Sequence, residues 1–542
     1  MIMKRITVDG NTAASHIAYQ CNDSAFIYPI TPSSSMSESC DLMRSEGVAN
    51  AYGNTMTITE MQSEAGASGA MHGALTSGQL ATTFTSSQGL LLMIPNMYKI
   101  AGEHLPNVMY VASRSVATHA LNIFCDHGDI YACLKTGYNF VACDSVQEVN
   151  DLALATQICA LKSRLPFVVF FDGFRTSHEL NTIDQFTPEE IKSVLPMSLV
   201  DGFRSVGLNP IKPICKGTAQ NPDVFFQNRM ASAPAYNNVI ENFNSALTQI
   251  NELTGKNYHT LDYVGDPKAE NVIVTLGSST NSCILACEKR EKCGVVQIRL
   301  FAPFDEKRLA EILPKTLKNI TILDRNADFV NADSLYNAVL NACHNQGIKA
   351  NLFAGIYGLG GKEFDANMAN AVYDNMRKDG KVRFSVGIDD DLSGNSLAVE
   401  NTYIADDSQY CVRIYGIGSD GSVSASKTLG KILSKITGKY SQGYFEYDSK
   451  KSGSMTTSHI RLDDKPIIDS FNSAKVDFLM INNSAFVNKF PYGEYIKDGG
   501  VILANMPPKA PISRELVDSL KAKNVHFYTL DATTLAHECG LN

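Results

Sequence analysis

Short runs rich in Val, Ile and Phe alternate with amphipathic stretches along this whole sequence. The alternation belongs to parallel sheets flanked by helices: a strand covered on both faces reads as an apolar run, and a crossover helix carries the chain to the next strand. In the first part the runs fall at 25–28, 80–84, 108–112, 140–142 and 166–171. A polar, proline-bearing stretch over 208–235 leads into a helix predicted near 237–253. A second series opens at 271–276 and continues at 294–300, 319–324, 350–354 and 384–387; a third opens at 410–415. The pattern predicts an α/β protein of three consecutive domains with mostly parallel sheets, spanning 1–257, 258–403 and 404–542. It contains no internal repeat and no low-complexity segment.

The 542 residues suffice for large buried cores, and 44% hydrophobic with 19% charged residues excludes a disordered chain. The net charge is −9 and the sequence carries no basic stripe, so no nucleic-acid partner is expected. No apolar run reaches the length of a membrane span; the run 89–94 is interrupted by Pro95, Asn96 and Lys99. The first residues lack a signal-peptide core, which sets the expectation of a cytoplasmic protein. The thirteen cysteines form no Cys-x-x-Cys pair and no ferredoxin-type run, so no iron–sulfur cluster is expected in this chain. Cys283 and Cys287 share a helix face and read as small buried hydrophobes. The last strand, 524–530, is followed by the start of a helix that stops at Asn542, which suggests either a covering partner or a longer parent chain.

Several predicted strands end in polar residues, and in open α/β sheets ligands bind beyond the carboxyl ends of strands. The first run is followed by Tyr28-Pro29-Ile30-Thr31-Pro32-Ser33, which sets the Thr31 hydroxyl between two prolines. Strand 108–112 ends in Ser113-Arg114-Ser115, and a guanidinium there suits a carboxylate or phosphate. Strand 80–84 ends in Thr85-Ser86-Ser87-Gln88-Gly89 at a helix start, where free amides favour an anion. Strand 166–171 ends in Asp172-Gly173-Phe174-Arg175-Thr176-Ser177-His178. Taken singly these are a rigid turn, a surface salt bridge and ordinary capping. Together they point to a small anionic substrate. Glu64 heads a helix of Ala, Gly and Ser that includes Gly66, Gly69 and Gly73, a composition that predicts close approach of another backbone.

These segments carry a resemblance. Tyr28 to Ser34, Met61 to Ala67, Thr83 to Glu103 and Phe170 to Glu179 closely resemble the pyruvate:ferredoxin (flavodoxin) oxidoreductases. Gly217-Thr218-Ala219-Gln220-Asn221-Pro222-Asp223 and Gly358-Leu359-Gly360-Gly361-Lys362-Glu363-Phe364 match the same family, and the similarity runs in order over essentially all of the chain. The resemblance implies oxidative decarboxylation of pyruvate to acetyl-CoA with thiamine diphosphate. It makes the first domain a thiamine pyrimidine-binding type and the middle one transketolase C-terminal-like. It assigns Glu64 to the aminopyrimidine ring, where it protonates a ring nitrogen, and it assigns Thr31 and Arg114 to the substrate, with Arg114 on the carboxylate of a 2-oxo acid.

Strand 410–415 runs into Gly416-Ile417-Gly418-Ser419-Asp420-Gly421-Ser422-Val423. Read literally this is the dinucleotide fingerprint, with Glu446 or Asp448 as the ribose acid. The surrounding Gln442 to Gly453 and Ser458-His459-Ile460-Arg461 are instead similar to the family's third, gamma-type domain. That similarity implies that Ser419, Asp420, Gly421, Ser422 and Val423 cradle a CoA phosphate and that Lys451 adds charge. A loop closed for packing is the structural alternative.

Single-chain members of the family continue beyond this length with iron–sulfur and diphosphate/Mg²⁺ domains. Ser35 stands where proline is expected, and Cys125 where glycine is expected, both near the site. The resulting expectation is one component of a split oxidoreductase, located in the cytoplasm or, in a eukaryote, in an anaerobic organelle. A second polypeptide would carry the missing domains, ferredoxin or flavodoxin would accept electrons, and the assembly would dimerise. The competing expectation is a non-catalytic scaffold or assembly protein derived from the same family.

Overall fold

The computed structural model describes residues 3–330, 334–402, 408–446, 454–507 and 509–540. Two compact units are present. One comprises Asp9–Ser177 and Asp184–Tyr403; the other gathers Arg5–Val8, His178–Ile183 and Ile404–Asn542. Two short segments from the first 257 residues therefore lie with the C-terminal part, which the linear pattern of strands does not reveal.

In the larger unit, strand Ser24–Ile27 pairs in parallel with Thr57–Glu60 on one side and Ala81–Thr82 on the other. The chain continues through Thr83 to Phe84–Thr85, which is parallel to Val108–Ser113. Next to it lie Phe167–Asp172 and Asn139–Cys143, also parallel, and Leu300–Ala302 closes the edge in the antiparallel sense. Every residue of Val108–Ser113 and Phe167–Asp172 is buried, as double-sided coverage requires. Their register sets Ser113 opposite Asp172, so these two strands end level. A second sheet runs Leu261–Gly265, Cys293–Ile298, Asn271–Thr275, Asn319–Asp324, Asn351–Tyr357, Arg383–Val386 and Ser396–Leu397; only the first pairing is antiparallel. One hydrophobic core extends from Ala67 to Cys343 through both sheets.

In the smaller unit an eight-stranded sheet starts with Lys4–Asp9 and Leu180–Gln185. Tyr440–Glu446, Met455–Asp463 and Tyr410–Ile417 follow with antiparallel pairings, then Val476–Ile481, Ile496–Asn505 and His526–Leu530 in parallel. The expectation of mostly parallel sheets holds for the chain, but half of this sheet is antiparallel.

At the end of strand Phe167–Asp172, Asp172 is fully buried and makes four contacts. Its Oδ1 meets His127 Nε2 at 2.8 Å, while Oδ2 accepts from Arg325 Nη1 at 2.6 Å, Ser278 Oγ at 2.5 Å and the Ser278 amide at 3.2 Å. Burial pushes the carboxyl up, but Arg325, His127 and Ser278 outweigh it and hold it well below the usual carboxylate range. Asp172→Asn leaves the Arg325 charge without its counter-ion in a dry site, so it should destabilise the chain by about 3–5 kcal/mol in urea unfolding. Because the folded carboxyl titrates lower than the unfolded one, the contribution is present above about pH 4 and is lost on acidification below it. In Asp172→Asn that acid-dependent loss should be absent.

Candidate functional site

Thr31 lies just beyond strand Ser24–Ile27 in a turn closed by the Ser33 amide and hydroxyl, each 2.8 Å from the Ile30 carbonyl. Asn11, buried in helix Gly10–Cys21, donates to the Pro32 carbonyl and to Ser35 Oγ, both at 2.7 Å. Ser35 is thus a hydrogen-bond partner of Asn11. A Cβ at Gly173 would lie 2.3 Å from the Ser113 carbonyl oxygen and 2.8 Å from Pro32 Cγ, so only glycine lets the Pro32 turn close on the Ser113 strand end. The Thr31 side chain is left exposed.

Arg114 begins where strand Val108–Ser113 stops. Its Nη1 donates to the Thr31 carbonyl at 2.9 Å and its Nε to the Asn122 carbonyl at 3.2 Å. Among the described residues its guanidinium has no carboxylate partner, and it is only 8% exposed. Burial lowers its pKa, with Asp129 opposing. The surface salt bridge of the structural reading is therefore not formed. The turn from Gly358 supports this loop: the Gly360 carbonyl accepts from Asn122 Nδ2 at 3.1 Å and the Gly361 amide donates to the Cys125 carbonyl at 2.8 Å.

Glu64 is the first residue of helix Glu64–Thr76. Ser63 caps that helix, its side chain accepting from the Gly66 amide at 3.1 Å, so the carboxylate is not needed as the cap. Glu64 is 7% exposed, and no hydrogen bond or ion pair to its carboxylate occurs among the described residues. It lies over Gly89: a Cβ there would be 2.8 Å from Glu64 Oε1 and 2.7 Å from Thr85 Oγ1. The Thr85 hydroxyl is itself buried without a hydrogen-bond partner. An unpaired carboxylate beside an unpaired hydroxyl fits a heterocycle offering both donors and acceptors, as an aminopyrimidine does.

The helix start at Ser87 is filled from within the chain. Asp129, fully buried in Gly128–Ala132, accepts from the Ser87 amide at 2.8 Å and the Arg114 amide at 3.1 Å through Oδ2, and from the Ile130 amide at 2.8 Å through Oδ1. Burial pushes its carboxyl up to about 7 against these donors. The hydroxyls are also engaged, Ser86 Oγ with the Ala112 carbonyl at 2.7 Å and Ser87 Oγ with the Ser115 carbonyl at 2.6 Å. The expected anion site at this helix start is therefore corrected: its anion is Asp129.

Expectations about Asp172 and His178 and about the small-residue helix are corrected, whereas Cys125 does lie beside the candidate site. Asp172 turns into the buried network around Arg325, because an unpaired arginine there would cost more than an open strand end gains, and His178 belongs to the smaller unit. Cys125 lies under the strand end, fully buried, with Sγ 3.2 Å from Ser113 Oγ. The small-residue helix packs through Ala67, Ser68 and Met71, whereas a Cβ at Gly73 would meet nothing within 4 Å and one at Gly69 only Asn96, at 3.8 Å. Gly66 lies against the Gln62 side chain, so of the three glycines Gly73 is the open one.

In the smaller unit the loop after Tyr410–Ile417 closes on an acid of its own. Asp420 Oδ2 accepts from the Ile417 amide at 2.8 Å, and Oδ1 accepts from the Ser422 amide at 2.8 Å and the Ser422 hydroxyl at 2.5 Å. Burial raises this carboxyl, but those hydrogen bonds outweigh it and lower it overall. Of the amides expected for a phosphate, that of Ser422 is thus taken by the carboxylate, and that of Asp420 donates to the Ile417 carbonyl at 3.0 Å. Ser419 and Gly421 adopt left-handed φ of 77° and 82°, Val423 follows in the helix, and Lys451 lies outside the described residues, as does Asp448. The dinucleotide reading fails on topology, since Met455–Asp463 separates Tyr410–Ile417 from Tyr440–Glu446 where a βαβ unit would pair them directly.

Thr31 and Arg114 thus touch, and Glu64 joins them only through the 85–89 loop and Asp129. Asn11, Thr85 and Asp129 belong to the same arrangement. Reading residue by residue misses them because each acts on backbone or on an empty space distant in sequence. An α/β unit with such groups at its strand ends has the layout of a ligand-binding enzyme domain. The comparisons with known proteins agree: residues 16–246 match the family model described as pyruvate flavodoxin/ferredoxin oxidoreductase, thiamine diP-binding. Residues 269–369 match pyruvate:ferredoxin oxidoreductase core domain II, and 411–542 match pyruvate ferredoxin/flavodoxin oxidoreductase.

The chain belongs to the pyruvate flavodoxin/ferredoxin oxidoreductase family. It is 43% identical to the pyruvate:ferredoxin oxidoreductase of Moorella thermoacetica over 99% of this chain and 47% of that protein. Identity is 42% to the probable pyruvate-flavodoxin oxidoreductase of Escherichia coli, over 99% and 47%. It is 41% to the pyruvate dehydrogenase [NADP(+)] of Cryptosporidium parvum, over 98% and 28%. The chain spans about half the length, or less, of the curated relatives it matches. No described helix is long and apolar enough to cross a membrane.

Gly89→Ala should displace the Glu64 carboxylate and cost about 1–3 kcal/mol in thermal or urea unfolding. In the double variant Gly89→Ala/Glu64→Ala the added cost of the alanine should shrink, giving a measurable coupling between the two sites. Equal costs in both backgrounds would place the Glu64 carboxylate elsewhere.

Proposed function

We propose that this chain forms the pyrimidine-binding, middle and CoA-binding portion of a 2-oxo acid oxidoreductase. With the remainder of the enzyme, on a partner polypeptide carrying the diphosphate/Mg²⁺ and iron–sulfur domains, it converts pyruvate and CoA to acetyl-CoA and CO₂. Two electrons leave to ferredoxin or flavodoxin. The observation that carries this reading is a pair of unpaired charges: the Glu64 carboxylate and the Arg114 guanidinium are both buried at strand ends, and neither has a charged partner among the described residues. A scaffold has no use for this pair: the Glu64 carboxylate has no partner among the described residues, and the two backbone carbonyls on Arg114 leave its charge without a counter-ion.

Thiamine diphosphate, when bound, supplies the electron sink for decarboxylation. On this reading Arg114 holds the substrate carboxylate in a bidentate grip, the charge-assisted contact that a guanidinium makes best. Thr31, whose carbonyl steadies that guanidinium, offers its hydroxyl to the 2-oxo group. Glu64, lying over Gly89, would face the cofactor's pyrimidine ring and would serve its ring nitrogen as acid–base partner, with the Thr85 hydroxyl beside it. At the CoA loop, Asp420 and Ser422 shape the turn, and phosphate recognition is left to the Gly421 and Val423 amides and the Lys451 charge. The division at 257 and 403 is retained as the functional division of the chain.

A covering partner is supported by what stays open. Helix Pro222–Met230 buries none of its residues, and its Phe225 and Phe226 are 58% and 70% exposed. Gly73 of Glu64–Thr76 is open as well. The electron acceptor is set by the absent portion, since a relative of this same region is named for NADP(+). Dimerisation of the assembly and a location in the cytoplasm or an anaerobic organelle belong to the same reading.

Co-expression with the polypeptide carrying the missing domains, followed by anaerobic purification, should yield an iron-containing complex. That complex should reduce a viologen dye only with pyruvate and CoA. In it, Glu64→Gln should lower kcat about 100- to 10,000-fold. Arg114→Met should raise KM for pyruvate on the order of 10- to 100-fold. Self-assembly of this chain into large iron-free polymers, with no turnover in any complex, would favour the scaffold.

A further inference from the structure

Asp129 is a fully buried carboxylate to which the reaction gives no task. It sits in the first turn of the short helix Gly128–Ala132, 42 residues from Ser87 and 15 from Arg114. One oxygen, Oδ2, is shared between the amides of those two residues at 2.8 and 3.1 Å. Both amides stand just past strand ends, where the ladder supplies no acceptor and an unmet N–H in a dry site costs about 1–3 kcal/mol. Ser87 takes a left-handed φ of 51°, a conformation rarely adopted outside glycine, and in it the amide points at Asp129. The Ser86 and Ser87 hydroxyls bind the Ala112 and Ser115 carbonyls across the same seam.

Two sides of the candidate site meet at this oxygen. From Ser87 the chain passes two residues to Gly89, on which the Glu64 carboxylate rests. From the Arg114 amide the same residue extends its guanidinium to the Thr31 and Asn122 carbonyls. We propose that Asp129 is a positioning residue: the oxygen shared by the Ser87 and Arg114 amides sets the separation between the acid-bearing and guanidinium-bearing sides of the site. This rests on the functional reading given above for Glu64 and Arg114. Neither the substrate nor the cofactor would touch Asp129 itself.

Asp129→Ala removes the shared acceptor. Asp129→Asn keeps a carbonyl oxygen of the same reach and should rescue in part. On the chain alone, hydrogen exchange read by mass spectrometry should quicken at least about tenfold in Asp129→Ala in two separated peptides, one spanning 84–92 and one spanning 110–118. Asp129→Asn should fall between that variant and the parent. In the reconstituted complex, KM for pyruvate should rise about tenfold in Asp129→Ala and less in Asp129→Asn, with kcat changing by a smaller factor. Faster exchange confined to 127–133, or a lower active fraction at unchanged KM, would reduce Asp129 to a local structural role and overturn the proposal. If the parent complex shows no turnover, the functional reading falls. The paired exchange response then decides by itself whether Asp129 couples the two loops.

Discussion

A parallel sheet ends in amides and carbonyls that its ladder cannot pair, and burying those ends demands partners from elsewhere in the chain. Here carboxylates and hydroxyls meet the demand. Asp129 takes the Ser87 and Arg114 amides, Asp172 takes the Ser278 amide and the Arg325 charge, and Ser86 and Ser87 return hydrogen bonds to two carbonyls. Because Ser113 and Asp172 end level, these contacts draw the loops after several strands into one rim. The position of every candidate side chain in the larger unit follows from that rim.

Against this background of satisfied groups, the unsatisfied ones stand out. Glu64 and the Thr85 hydroxyl lack partners among the described residues, and Arg114 has only backbone carbonyls. Other buried acids of the same unit are fully engaged, for example Glu148 with Arg299 and Asp151 with Lys256 and Tyr258. In the larger unit these groups lie around one strand-end crevice; in the smaller unit the buried guanidiniums of Arg413 and Arg461 are likewise held by neutral acceptors among the described residues. The groove of about 1130 Å³ between Asn237 and Gln346 is lined by side chains such as Asn244, Thr248 and Lys307 and lies apart from that crevice. Its size says less about function than the unpaired charges do.

The family explains the open valences without being needed to find them. Relatives at 41–43% identity carry the same region within chains about twice as long or longer. Under the proposed function this stretch carries one side of a cofactor pocket, and open Gly73 and bare Phe225 and Phe226 are surface that the rest of such an enzyme would occupy.

Local pattern was enough for the fold class, for the strands it named to within two or three residues, and for raising Thr31, Glu64 and Arg114 as candidates whose roles the resemblance then supplied; it named no strand at 4–9, 57–60, 180–185, 261–265, 440–446, 455–463, 476–481 or 496–505. What it did name follows from short-range chemistry: an apolar run, a proline pair, an acid at a helix head. It misjudged the hydroxyl-rich helix start at Ser87, where a turn that looks ready for a foreign anion receives one from its own chain, and it did not foresee that Asp420 closes the loop before Ser422. It could not show that 5–8 and 178–183 join the C-terminal sheet, nor that Asn11, Thr85 and Asp129 complete the site. Those facts depend on which distant backbone groups come within about 3 Å of one another. That is a matter of strand register and loop closure, which arises only when the tertiary fold brings them together.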